Sequence, residues 1–419
     1  MDATDVAVIG AGVAGLACAR TLEESGLQVR VLERSARVGG RVGTDLIDGF
    51  RCDRGFQWLN AGHPDVLAAV DVAALNPKAV EPGMVLAHPE GYRILHGSQA
   101  TLIATIRSGL GQPQDIARLL RWSEPLRKSP DRMLSGADMT LAESLDRHGI
   151  SGRIREEVLR PFFRLVFADE DLGTSYQFAM LGMKALLMGM PALPALGMQA
   201  LPNQLALSLE LPVEHGVDVT GVRRSTGEGV RIHTADSTIE ARAAVVATDP
   251  NTASSLLGLG IPLMRGLSTW WFATAEPPTT MKMPFVNPMG HATGPISHAL
   301  VVSNVAPRYA PVGQHLVSAC SVPASGKDVG SETEAEVRAQ LAQIFRTETS
   351  TWGLVNRSSH SAAWPVARPP MLMGREVDLG DGLFVAGDHR EAPSIPGAMR
   401  SGQRAAAAVL EELGEPAKG

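Results

Sequence analysis

The chain has 419 residues, of which 44% are hydrophobic and 20% charged, with a formal net charge of −6 at pH 7. This length supports two domains of ordinary size, and an acidic balance without any Lys/Arg block argues against a nucleic-acid partner. The three cysteines, Cys18, Cys52 and Cys320, form no C-x-x-C pair, which speaks against a zinc knuckle or a dithiol redox site and fits a reducing cytosol.

Residues 1 to 4 lead straight into DVAVIG, without the charged start and long apolar run of a secretory leader. The strand-like Asp5–Ile9 run enters G-A-G-V-A-G, which holds Gly10, Gly12, Val13, Ala14 and Gly15. A helix-compatible stretch to Gly26 and a second strand ending on Glu33 follow. This is a β-α-β dinucleotide fingerprint: Gly10 permits the tight turn, Gly12 admits a pyrophosphate, Gly15 allows close helix–strand packing, and Glu33 accepts from a ribose. The fingerprint alone does not separate NAD from FAD. In RSARVGGRVGT (34–44), Gly39, Gly40 and Arg41 offer backbone N–H groups and a guanidinium to the same pyrophosphate. An extended segment with Asp53 and Gly55 then replaces the further β-α units of a plain NAD domain.

From about residue 62 to 200 the pattern is mainly helical, with Pro161 marking a break in SGRIREEVLRPFF. The longest apolar run, Phe178 to Met198, carries Lys184, Pro191 and Pro194 and reads as a buried helix with a kinked exit, not a membrane span. Its methionines Met180, Met183, Met188, Met190 and Met198 suit a core, an adaptable tunnel for an apolar substrate, or an apolar face against a membrane. GVDVTGVRRS and VRIHTADSTIEARAAVVATD read as strands, with a turn at 234–237. LSTWWFATA, SHALVVSN and HLVSACSV follow as strands. SETEAEVRAQLAQIF is an amphipathic helix with Val337, Leu341, Ile344 and Phe345 on one side and capping-box spacing at Ser331 and Glu334. Only one complete G-x-G-x-x-G is present, which counts against reductases that need a second dinucleotide site.

DGLFVAGD (381–388) is a strand ending in the Gly387–Asp388 turn. A helix starting near Gly397 would aim partial positive charge and free N–H groups at a bound group, and Ser401, Gly402, Ala405 and Ala406 would let it pack closely on the sheet.

These blocks resemble the FAD-dependent flavin amine oxidase, phytoene desaturase and protoporphyrinogen oxidase superfamily. The resemblance is carried by the Gly10–Gly15 fingerprint with Glu33, the Gly39-Gly40-Arg41 segment, RPFFRLVFADEDLGTS (160–175), GMQALPNQLA (197–206), VVATDP (245–250) and FVAGDHREAPSIPGAMRSGQRAA. It implies an α/β fold: a Rossmann-like FAD-binding domain (residues 1–61, 200–258 and 365–419) with an inserted mixed α+β substrate domain (62–199 and 259–364). Non-covalent FAD is implied, since no cysteine lies near the closing motif. The implied cofactor set adds Arg34, Gly55, Phe56 and Gln57, Val219 against the adenine, and Gly387 with Asp388 near the ribityl and pyrophosphate. Pro396, Gly397, Ala398 and Met399 complete it at the N1/O2 side of the flavin.

The implied reaction is hydride transfer from a C–H bond to flavin N5, with oxygen or a quinone-type compound as acceptor. Amine oxidases of the group often place an aromatic before the Gly-Ala motif, whereas Ala392–Pro396 contains none. This departure leans toward a desaturase or dehydrogenase acting on a fairly apolar small molecule. The alternatives are an amine oxidase forming imine and hydrogen peroxide, a non-catalytic flavin-binding protein, and an NAD dehydrogenase. Candidate catalytic residues are Lys184, Lys282 and His389, set against snorkelling for the lysines and a structural loop role for the histidine. The expected setting is cytoplasmic with peripheral membrane contact as an alternative. No metal is expected, and nothing bears on oligomeric state.

Overall fold

The computed structural model describes residues 4–96, 109–225, 229–324 and 326–415. In chain order, β1 (Thr4–Ile9), α1 (Val13–Glu24) and β2 (Val29–Glu33) are followed by two hairpins, β3 (Thr44–Ile47) with β4 (Phe50–Asp53) and β5 (Gly83–His88) with β6 (Gly91–His96). A helical stretch includes α2 (Tyr176–Met188) and α3 (Ala200–Leu207). Next come β7 (Glu214–His215), β8 (Val219–Arg224), β9 (Val230–Thr234), β10 (Thr238–Val246) and α4 (Pro250–Leu257). Then β11 (Met264–Thr274), β12 (Phe285–Val286), β13 (Ile296–Val301), β14 (His315–Ser321), α5 (Glu334–Phe345) and β15 (Gly353–Pro365) precede β16 (Leu383–Val385) and α6 (Ile395–Leu413).

The first seven-stranded sheet runs β7-β2-β1-β10-β9-β8, with β16 parallel to the end of β10. β1 sits between two parallel neighbours, β2 and β10. It is therefore covered on both faces, which is why VAVI is a continuous apolar run instead of an alternating one. One face packs under α1 and α6, with Leu16, Val31, Met399 and Val409 in one core; the other packs under α4, with Ile9, Ile232 and Ala253. Gly402 lets the two helices approach, since a Cβ there would stand 2.1 Å from the Ala14 carbonyl oxygen. At Gly402 that helix therefore packs on α1 and not, as expected, on the sheet.

The second sheet runs β15-β11-β14-β13-β12-β5-β6 and is antiparallel apart from the β12–β5 pair. Alternation along β11 gives it two faces. Trp270 and Phe272 pack against Val337 and Leu341 of α5, while Trp271 faces the opposite way with Leu300 and Phe50. Phe56 and Trp58, in the loop after β4, pack against that second face.

Two expectations shift. The cap of α5 is Thr333 with Glu336, because Thr333 takes the extended backbone of an N-cap and its Oγ1 accepts from the Glu336 N–H; Ser331 and Glu334 have the right spacing two residues too early. The apolar run is not a wholly buried helix. Gln177–Met180 are buried, but α2 ends at Gly189, and Leu187, Met188 and Met190 are 62%, 76% and 41% exposed. Met198 lies in the core beneath α1 while Met180 packs among the helices, so the methionines share no single surface and line no common tunnel. Among the described residues no helix is long and apolar enough to cross a membrane.

Candidate functional site

The first glycine loop is shaped by backbone contact. Gly10 has φ +101°, and a Cβ at Gly15 would lie 2.0 Å from the Gly10 carbonyl oxygen, so α1 can start only this close to the loop if residue 15 is glycine. No side chain caps α1 and no acidic residue lies in its first turn. Its first N–H groups and the positive end of its dipole are therefore left for an anionic ligand. The second glycine loop docks on the first: Gly39 donates to the Ala11 carbonyl at 2.8 Å, and Gly12 and Gly39 form a parallel bridge. Gly40 stands beside Gly12, its Cβ position 3.6 Å from the Gly12 Cα. The cradle is thus lined by backbone.

Glu33 fixes the edge of this cradle, accepting from the Ala11 N–H at 2.8 Å and from the Ser35 N–H and hydroxyl at 2.8 and 2.6 Å. Arg34 beside it is exposed. The Val217 N–H donates to the Glu33 carbonyl, which brings the chain leading to the buried Val219 alongside.

Arg41 and Asp388, 347 residues apart, meet at 2.5 Å. Burial disfavours the Arg41 charge, yet the adjacent Asp388 carboxylate, together with Asp249, outweighs it and holds the guanidinium above its ordinary pKa. Arg41 also donates to the Ala363 carbonyl of β15 at 3.2 Å, while Gln57 donates to the Arg41 and Arg54 carbonyls at 2.7 Å. Gly387 donates to the Ser401 hydroxyl of α6 at 3.0 Å. Through Arg41 the second glycine loop is therefore joined to the far end of the chain and to the second sheet.

At the start of α6 the reason for glycine differs from the expected one. The Gly397 N–H is not free: it donates to the capping Ser394 hydroxyl at 3.0 Å. Gly397 is required because a Cβ would stand 1.9 Å from the Ala392 carbonyl oxygen. Pro396 has no N–H, Ala398 donates to the Ser394 carbonyl, and the Met399 side chain is fully buried in the core.

A group of residues not anticipated from sequence lies on the face of the second sheet that meets the 55–58 loop. Ser358 pairs with Thr269, Thr269 with Cys320, and Cys320 with His298, a row across four strands. Trp271 shares that face, and the His298 ring lies 4.2 Å from the Phe56 ring. Six side-chain atoms here are buried without a hydrogen-bond partner: Thr269 Oγ1, Ser358 Oγ, His298 Nε2, His360 Nε2, Trp58 Nε1 and Trp271 Nε1. Each such atom costs ~1–3 kcal/mol unless a ligand or water satisfies it. The row is uncharged, since burial pushes His298 down to about 3 and the Cys320 thiol up to about 12. Ser297 donates its hydroxyl proton to the Cys320 carbonyl and so accepts from His298 Nδ1–H, which leaves Nε2 as a bare acceptor. The sequence signal was present in Ser268 and Thr269 directly before two tryptophans in LSTWWFATA and in a histidine inside the apolar SHALVV run.

The candidate catalytic residues fare differently. The Lys184 ammonium donates to the Leu126 and Lys128 carbonyls at 3.1 and 2.5 Å, tying α2 to a neighbouring turn. Lys282 is exposed and lies outside any strand. His389 folds against Gly387, and burial, helped by the arginines around it and opposed by Asp388, brings its pKa down to about 4. Neither lysine is brought to the cradle. Among the described residues no group of three or more His, Cys, Asp or Glu side chains could hold a metal.

The family described as flavin containing amine oxidoreductase matches residues 13–410. Putrescine oxidase of Kocuria rosea is 46% identical over 71 residues, 17% of this chain and 15% of that protein. Protoporphyrinogen oxidase 2, chloroplastic/mitochondrial, of Arabidopsis thaliana is 29% identical over 151 residues, 34% and 28% of the two chains. The chain therefore aligns with less than a third of either protein's length. The solved structure of an oxidoreductase from Methanosarcina mazei superposes with a TM-score of 0.76 over 97% of this chain and 100% of that one, at 18% identity, and so shares the fold.

Proposed function

Because the chain belongs to the flavin containing amine oxidoreductase family and is an FAD-dependent oxidoreductase, we propose that it oxidises an uncharged, fairly apolar small molecule held against the Thr269–Cys320–His298 wall. The observation that carries this reading is the wall itself: unsatisfied hydrogen-bonding atoms without a carboxylate or ammonium in the row. When bound, FAD supplies a hydride acceptor at its flavin N5.

The uncapped start of α1 and the backbone-lined cradle fit a dinucleotide's phosphates. Gly12, Val13, Ala14 and Gly40 would hold them by N–H groups, with Arg41 adding charge and Glu33 accepting from the ribose. Asp388, the turn at Gly387 and the backbone of Pro396, Gly397, Ala398 and Met399 would close the far side. Residues 1–61, 200–258 and 365–419 then form the cofactor domain and 62–199 with 259–364 the substrate domain. Phe56, Trp58 and Trp271 exclude water. His298 Nε2 accepts from a substrate O–H or N–H, and the Thr269 hydroxyl and Trp58 N–H donate to it, which orients a C–H bond without a charged anchor. The electron acceptor is oxygen or a quinone-type compound.

The test is anaerobic bleaching of the flavin by a panel of uncharged hydroxylated and partly unsaturated compounds beside diamines. Bleaching by a neutral compound, lost in His298→Phe with flavin retained, is expected. Rapid anaerobic bleaching by a diamine, with peroxide released once oxygen is readmitted, would overturn this reading in favour of amine oxidation, the activity named for the Kocuria relative.

A further inference from the structure

Beside the Gly387–Asp388 turn lies a second feature, a cavity of about 260 Å³ lined by Pro250, Ala253 and Ser254 of α4 and by Arg375, His389 and Arg390. No residue of the two glycine loops lines it, nor does Arg41 or Asp388. It lies where the chain leaves α4 and crosses through Gly260 and Pro262 toward the second sheet.

This cavity holds two guanidinium groups and no carboxylate. The nearby acids have other partners: Asp388 pairs with Arg41, Glu391 with Arg404 at 2.8 Å, and Asp249 caps α4 through the N–H groups of Asn251 and Thr252. Among the described residues, the guanidiniums of Arg375 and Arg390 have neither an ion pair nor a hydrogen bond. Arg390 Nε and His389 Nδ1 are both buried without a partner. The backbones of the two arginines are held together, since the Arg375 N–H donates to the Arg390 carbonyl at 2.9 Å. Arg404 also holds the Gly374 and Arg375 carbonyls at 3.1 Å. Burial and the neighbouring Arg375 hold Arg390 below its ordinary pKa.

Two like charges lining one cavity repel each other, and an anion between them relieves that repulsion. We propose that the cavity is a binding site for a phosphate group, separate from the cofactor cradle. A phosphate monoester carries close to two negative charges, which matches two guanidiniums, and planar guanidiniums pair with its oxygens in bidentate fashion. Bound there, it joins α4, the crossover and the Gly387 turn. The ester is either a soluble metabolite or a lipid headgroup; Ile261 and Leu263, 64% and 58% exposed on the crossover, suit a lipid chain.

The test titrates the FAD-loaded protein with inorganic phosphate by calorimetry at fixed ionic strength, and sediments it with phosphatidic acid vesicles against phosphatidylcholine ones. Phosphate binding is expected to weaken about tenfold or more in R390Q and in R375Q, and only about threefold in R390K. Flavin content and melting temperature should stay at the parent value, and Arg375 is exposed enough that its replacement does not endanger the fold. Retention on phosphatidic acid, lost in R390Q, identifies a lipid source; phosphate binding without retention identifies a soluble ester. The proposal is overturned if the parent binds neither probe, if R375Q and R390Q bind phosphate as the parent does, or if the variants lose flavin, which would place these arginines in the cofactor site.

Discussion

Replacing Arg41 by glutamine removes the one side chain that ties the second glycine loop to the far end of the chain. Asp388 is 7% exposed, so the lost guanidinium leaves a nearly buried carboxylate without its counter-charge. Breaking a buried pair from one side costs ~3 kcal/mol. Asp388→Asn is milder: about a third of the Arg41 side chain is exposed, water can solvate it, and the loss should be ~1–2 kcal/mol. With both changes neither charge is stranded, and the loss should be ~2–3 kcal/mol, a coupling of ~2 kcal/mol. Urea unfolding of the flavin-free proteins measures the cycle, and flavin retained on gel filtration reports the cradle. Additive losses within about 0.5 kcal/mol would show that the pair does not hold the two chain ends together.

Gly402→Ala should cost ~2–3 kcal/mol and loosen flavin binding, because the new Cβ meets the Ala14 carbonyl at 2.1 Å and both partners are helix backbone; an unchanged melting temperature would refute the close packing. Burial raises the Asp53 carboxyl to about 6, against hydrogen bonds from Thr44, the Met198 N–H and Tyr309. Its contribution is therefore full below pH 4 and is lost as pH rises through 6, by at most ~3 kcal/mol. In Asp53→Asn that part of the stability profile should flatten, and an unaltered profile would count against the assignment. Lys184→Met should leave substrate turnover within about twofold while lowering stability by ~1 kcal/mol, since two carbonyls lose a donor; a large fall in turnover at full stability would restore a catalytic role.

Much of the cofactor side is legible before folding because its signals are local. Glycine spacing, a strand, an uncapped helix start and a terminal glutamate act within about thirty residues, and the backbone they require is the one observed between Thr4 and Glu33. Local chemistry also gave the cap of α5, although its register moved from Ser331 to Thr333 because spacing alone does not reveal which residue adopts the extended N-cap backbone. The role of Gly397 was visible only in part: glycine is required, yet by the Ala392 carbonyl behind it, a contact set by how the chain doubles back.

Tertiary structure decided the rest. Alternation shows that Trp270 and Trp271 face opposite ways, but not which faces α5 and which meets the 55–58 loop. Thr269, His298, Cys320 and Ser358 become neighbours only through strand register, just as Arg41 meets Asp388 across 347 residues. Backbone conformation is dictated by adjacent residues and is written in short motifs, whereas the meeting of side chains from distant segments depends on packing that no short stretch contains.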